Sequence, residues 1–397
     1  MKRFVDLVNF NADASCLSSA RWLAALEGKE HSEFCKWLQL YIDPHKPIAL
    51  GLTGATVADL ASHNPDAIAL INRHPQVFEL IARPFSHDIS LTRSRQGFLL
   101  NLSLGLAILR QHFSAVTPYF LPPEFMLSSE QVSLLAEQGV LGVFVNSQRL
   151  APGMRERVPT CPYQVRGVRG INLPCVPVRG NLTQLYLDAL HNYDSSAWRQ
   201  AILGDPDDVI VSWRDGESPF LVPDGLLREG RWLHQEGDIP RSHFSTAECH
   251  FADSDALDPR LLRSYPVHSF LAWMKEFRMM GYLLRLQRLE EMATTLSEGS
   301  LGLWLQAINS DILSSVEKES PVVRLKSGPE NNEYFDYTIL RSERGFEGEE
   351  LLCLLEQEQD AGNIASESSL KNLGAHGLKL AGRLRQLKAL GLGRDAS

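Results

Sequence analysis

The chain has 397 residues, a formal net charge of −9, 44% hydrophobic residues and 22% charged ones. This is ordinary globular composition, long enough for one large domain and a smaller one. The acidic balance lacks the basic stripe that phosphate contacts demand, which argues against nucleic acid as a partner. Six scattered cysteines form no C-x-x-C pair, which argues against a zinc ribbon or a thioredoxin-like motif and fits free thiols in a reducing cytosol.

The opening MKRFVDLVNFNADAS reads as a first strand over 4–10, not a signal peptide, because its apolar run is short and no cleavage pattern follows. No run approaches the roughly 20 apolar residues of a membrane span. A cytoplasmic protein without a membrane partner is expected. Helical spacing covers 17–40, with Trp22, Leu26, Phe34, Trp37 and Leu38 on the buried face. PIALGL is a second strand, 55–71 a helix and VFELIA a third strand. A long helix follows over 93–113, then a short fourth strand over 119–121. The next helix, 128–138, ends at Gly139, a suitable C′ glycine, and precedes a fifth strand over 141–145. Residues 151–182, rich in Pro, Gly and Arg, read as a long insertion with short strands. Helix returns over 182–203, and DVIVSW is a further strand leading into Asp215-Gly216-Glu217. Past 266 the pattern is helical, with an acidic helix over 347–358 and a basic tail over 368–393 expected to pair with it.

Strands alternating with helices imply a parallel sheet with helices outside it. No G-x-G-x-x-G follows the first strand, which weakens a dinucleotide site. In an α/β barrel the C-terminal strand ends face the active site. Three carboxylates are read at such ends: Glu79 in VFELIARPFSH, Glu124 in YFLPPEF and Asp215 in IVSWRDGES. Asp13, in NFNAD, and His87, in SHD, lie at similar places. A converging carboxylate pair supports glycoside hydrolysis without metal or other cofactor, one attacking the anomeric carbon or activating water and the other protonating the leaving oxygen.

Over about residues 1–225 these segments resemble glycoside hydrolase family 57. IALGLTGATVADL resembles the family's second strand, ending in a small residue and Gly before a helix. VFELIARPFSHDIS resembles its next segment, with Glu79 and His87 in the places of polar site residues. YFLPPEFMLSSEQVSLLAEQGVLGVFVN resembles the nucleophile segment and VIVSWRDGESPFLVPDG the acid segment. The resemblance implies an α/β fold, an incomplete (β/α)7 TIM-like barrel over 1–265 followed by a helical C-terminal domain over 266–397. It implies a retaining α-glycoside hydrolase or glucanotransferase acting on an oligosaccharide or glycoside, with Glu124 as nucleophile and Asp215 as general acid/base. Glu79, His87, Trp213, Asp13 and Asn11 would then bind substrate. The chain departs from the family in carrying NFNAD where a His-Gln-Pro-like motif is usual, and Phe120 where Trp precedes the nucleophile. Only Asn309 and Asp311 echo the family's C-terminal substrate motif.

Two other readings stay open. Asp13 and His87 could belong to a metal-dependent deacetylase of the same superfamily, although the second His expected four residues after His87 is Leu91. A barrel repurposed to bind a sugar or a protein without catalysis is the other, since one fold hosts many functions.

Overall fold

Seven parallel strands close into a ring in the computed structural model, which describes residues 2–13, 20–146, 162–237, 239–246, 277–295, 298–310, 352, 353, 355 and 356. β1 (Arg3–Phe10) lies between β2 (Ile48–Leu52) and β8 (Val209–Asp215). The ring continues from β2 through β3 (Phe78–Ala82) and β4 (Thr117–Phe120) to β5 (Gly142–Asn146). It continues from β8 to β7 (Asn172–Arg179), and a β5–β7 pairing with Val143 opposite Cys175 joins the ends. β6 (Tyr163–Arg166) adds an antiparallel strand to β7. The expected (β/α)7 barrel is the observed architecture.

Side chains alternate between the two faces of each strand. Val5 and Leu7 of β1 meet Ala49, Ile81, Phe144, Val176, Val178, Val211 and Trp213 in one cluster, so these residues from six strands fill the barrel. Phe4, Val8 and Phe10 face the other way, into the larger core shared with the helices. Asp6 also faces outward. Its carboxylate pairs with Arg214 of β8 at 3.2 Å and with Arg241 at 2.9 Å, while Arg214 reaches Glu229 at 3.0 Å. Burial pushes the Asp6 carboxyl up, but the two guanidinium groups outweigh it and hold it below its usual range.

Three stretches read as single helices are pairs. The first divides into Ala20–Leu26 and Glu33–Ile42, because Gly28 at φ 95° turns the chain. The second divides into Gly54–His63 and Pro65–Arg73: Pro65 has no N–H to continue the first helix, and the Asn64 side chain caps the second. The third divides at Tyr193, in left-handed conformation, into Gly180–Asn192 and Ser196–Gly204. The stretch read as an insertion supplies a barrel strand, β7, with a buried run from Cys175 to Arg179.

The C-terminal helices Phe277–Thr295 and Glu298–Ala307 share the barrel's outer core through Leu286, Leu289, Leu303 and Trp304. Of the acidic stretch, Glu356 pairs with Arg285 of the first of these helices at 2.7 Å. The basic tail and Asp311 lie outside the described residues. Among the described residues no helix is long and apolar enough to cross a membrane.

Candidate active site

The site is built around the loop after β3. Arg83, the first residue past that strand, continues the inward-facing set of Glu79 and Ile81. Its backbone is clamped from outside. A Cβ added at Gly105, in the helix Arg95–His112, would lie 2.3 Å from the Pro84 carbonyl carbon, so only glycine lets this helix approach so closely. One turn earlier, Asn101 takes the Ser86 amide at 2.8 Å and gives to the Ser86 carbonyl at 3.1 Å. The asparagine that interrupts an apolar helix in the sequence therefore fixes the loop that carries His87.

From this clamped loop Arg83 Nη1 donates to the Leu121 carbonyl at 2.6 Å, and Nη2 contacts His87 Nδ1 at 2.9 Å. His87 Nε2 lies 3.2 Å from Glu124 Oε1. Glu124 sits in a short 3₁₀ turn, Pro123–Phe125, just past β4. Glu124 and Phe125 have φ of 52° and 54°, a conformation that costs a non-glycine residue roughly 1–3 kcal/mol. The turn is held down by Phe125, whose ring meets Trp213 edge-on at 5.4 Å between centroids inside the barrel.

β8 delivers the remaining carboxylates. Asp215 ends the strand in register with Asn9 of β1. Gly216 donates to the Asn9 carbonyl at 2.6 Å, and a Cβ there would come 2.2 Å from the Phe10 ring. The chain then turns so that Glu217 Oε1 accepts the Asn11 and Ala12 amides at 2.5 and 2.8 Å. The Arg83 guanidinium feels Glu217, Glu124 and Asp215 together. Burial pulls its pKa down to about 9 against these three charges, and it remains cationic at neutral pH.

The C-terminal segment closes one side. Ser310 donates its amide to the His87 carbonyl at 2.6 Å and its hydroxyl to Glu124 Oε1 at 3.4 Å. Asn309 bridges Asp88. Beneath this contact Asp88 lies 3.4 Å from Arg93, which also meets Glu290 of the helix Phe277–Thr295 at 3.2 Å.

The barrel thus brings Glu124, His87 and Asp215 to one end, with Asn11 and Asp13 in the β1 loop beside them. Glu79 is not at that end. β3 starts at Phe78, so Glu79 lies near its N-terminal end and binds Thr117 at 2.7 Å and the Phe244 and Ser245 amides at 2.5 and 2.9 Å. There it pins the chain segment that plugs the barrel floor. Trp213 is only 7% exposed, with its ring against Phe125, so it reaches the site through the Glu124 turn.

Sequence reasoning gave no role to Arg83, Glu217 or Ser310. Glu217 lies two residues after Asp215 in the sequence Asp215-Gly216-Glu217, and that fixed spacing is a usable signal. No local pattern marked Arg83 or Ser310. Among the described residues no group of three or more His, Cys, Asp or Glu is arranged to hold a metal ion. Both His87 nitrogens are taken by Arg83 and Glu124, which weakens the deacetylase reading.

The seven-stranded parallel barrel with its C-terminal helices is similar in fold to solved GH57 enzymes. The chain is similar to a GH57 branching enzyme from Thermococcus kodakaraensis, with TM-score 0.60 and 11% identity over 98% of this chain and 96% of that one. It is similar to a GH57-type branching enzyme from Pyrococcus horikoshii, with TM-score 0.59 and 8% identity over 100% and 98%. A 4-alpha-glucanotransferase from Thermococcus litoralis aligns with TM-score 0.58 and 13% identity over 79% of this chain, which spans 56% of that enzyme. No protein-family model and no curated protein matches the sequence.

Proposed function

We propose that this protein is a carbohydrate-active enzyme that cleaves or transfers α-glycosides with retention, Glu124 being the nucleophile and Asp215 the general acid/base. The observation that carries this reading is the setting of Glu124: a strained turn at a barrel strand end, anchored by His87 and Ser310, near a buried arginine shared with Asp215. Among the described residues His87 and Ser310 both hydrogen-bond to Oε1, which leaves Oε2 as the attacking oxygen. Oε2 bonds to the anomeric carbon as the glycosidic C–O bond breaks, and Asp215 gives its proton to the departing oxygen. Asp215 then takes a proton from water or from an acceptor sugar hydroxyl. That oxygen displaces Glu124 and restores the carboxylate. Glu217 fixes the β1 loop, with Asn11 and Asp13, against the β8 end and so shapes the substrate side of the cleft.

The test is turnover of malto-oligosaccharides and aryl α-glycosides by the wild type, by Glu124→Gln and by Asp215→Ala. Loss of the general acid/base should cost about 10²–10⁴-fold. With an aryl substrate, azide should restore turnover of Asp215→Ala and yield a glycosyl azide of retained configuration. An activity that survives Glu124→Gln rejects the assignment. Sugar binding without any turnover by the wild type would mean a binding barrel.

A further inference from the structure

We infer that Arg83 is a positioning residue: it locks His87 as the neutral imidazole with its proton on Nε2, so that Glu124 meets a fixed neutral donor and not a cation. His87 is buried and both ring nitrogens are engaged, Nδ1 by Arg83 Nη2 at 2.9 Å and Nε2 by Glu124 Oε1 at 3.2 Å. A guanidinium has N–H donors and no acceptor. Its contact with Nδ1 is a hydrogen bond only if that nitrogen is bare, because a proton there would set two N–H groups against each other at 2.9 Å. The ring proton is then on Nε2, where a carboxylate oxygen accepts it. A protonated Glu124 offers no escape. To donate to Nε2 it would need the ring proton on Nδ1, facing Arg83.

The arginine is not free to swing aside. It is 1% exposed and tied to the Leu121 carbonyl at 2.6 Å, at the end of the strand that leads to Glu124. The backbone next to it is held by Asn101 and by the close pass of Gly105. One side chain therefore sets the loop after β3 and the turn after β4 relative to each other, and fixes the polarity of the histidine between them. The tautomer of a histidine is set by what its second nitrogen bonds, and here that partner is a cation. An imidazolium at this point would neutralise Glu124 as an ion pair. A neutral N–H orients Oε1 and leaves the carboxylate its charge.

The bearing on catalysis rests on Glu124 being the nucleophile. The tautomer does not, and it can be read without substrate. Long-range ¹H–¹⁵N correlation spectra of the full chain, labelled with ¹⁵N-histidine, report the protonation of each ring nitrogen at pH 7, and the His87→Gln variant identifies the His87 signals. The wild type is expected to show a bare Nδ1 and a protonated Nε2. Arg83→Gln, whose amide N–H can still donate to Nδ1, should keep that pattern, and Arg83→Met should gain a proton at Nδ1. A wild-type His87 that is cationic or protonated on Nδ1 overturns the proposal, and so does an unchanged pattern in a folded Arg83→Met. If Arg83→Met does not fold, the wild-type spectrum and Arg83→Gln decide. Once a substrate is in hand, Arg83→Met should add an ionisation to the pH profile of kcat that Arg83→Gln lacks. Absence of any turnover would reject the glycosidase reading and leave the spectroscopic result standing.

Discussion

Replacing Asp88 by Asn is expected to stabilise the protein at neutral and alkaline pH and to change little in acid. Asp88 is buried between the site loop and the C-terminal helices, and Arg93, the cation it meets among the described residues, is shared with Glu290. Burial, opposed by Arg93 and reinforced by Glu290, lifts its carboxyl from 3.8 to about 7. Between those two values the folded chain holds a proton that the unfolded chain has released. Stability therefore falls as pH rises through this window and levels off above it. At 1.36 kcal/mol per pH unit, the span from 3.8 to about 7 amounts to roughly 4 kcal/mol. Asn has nearly the same shape and no charge to bury, and Arg93 keeps Glu290. Urea unfolding of both proteins from pH 4 to pH 8 measures the effect as a difference, so that other titrating groups cancel. The gap should open from near zero at pH 4 to as much as about 4 kcal/mol at pH 8. A difference that does not vary with pH, or a variant less stable than wild type at pH 8, would refute the reasoning.

Asp6→Ala leaves Arg214 and Arg241 without a shared carboxylate in a buried network, and denaturant titration should show a loss of about 3–5 kcal/mol. Because the Asp6 carboxyl is held below its ordinary value, its contribution is present above that value and is lost as pH falls, the opposite sign to Asp88. Gly105→Ala drives a methyl group into the Pro84 backbone; unfolding measurements should show about 1–3 kcal/mol lost to overpacking, and histidine spectra should show a displaced His87. Ser310→Ala removes one hydroxyl from Glu124 Oε1; about 1 kcal/mol for a hydrogen bond corresponds to a kcat lower by roughly five-fold, with little change in the unfolding midpoint.

The strand–helix alternation and the strand that leads to Glu124 were legible because they are local: period-two runs, turn residues and a glycine after a helix all act over a few residues. Glu79 was misplaced because its strand begins one residue before it. The run VFELIA marks the strand's bounds well, but Glu79 is the third residue of that run and sits opposite Ala49, so it belongs to the N-terminal end and not to the site end. β7 was hidden by Pro174 and Pro177 in a stretch rich in turn formers, and only closure of the ring against β5 and β8 makes it a strand. Arg83 was invisible for a different reason. A cation between an apolar strand and a proline reads as a solvated loop, and the carboxylates that act on it, Glu217, Glu124 and Asp215, are far from it in the chain. Ser310 meets Glu124 across 186 residues, a distance no spacing argument covers.

The central claim is that Glu124 becomes covalently attached to the sugar. A fluorinated α-glycosyl fluoride, which slows release of a glycosyl-enzyme more than its formation, followed by proteolysis and mass spectrometry, reads this directly. The account predicts one glycosyl adduct, on the peptide and residue of Glu124, in wild type and none in Glu124→Gln. An adduct on another side chain, or no adduct and no turnover in the wild type, would contradict it.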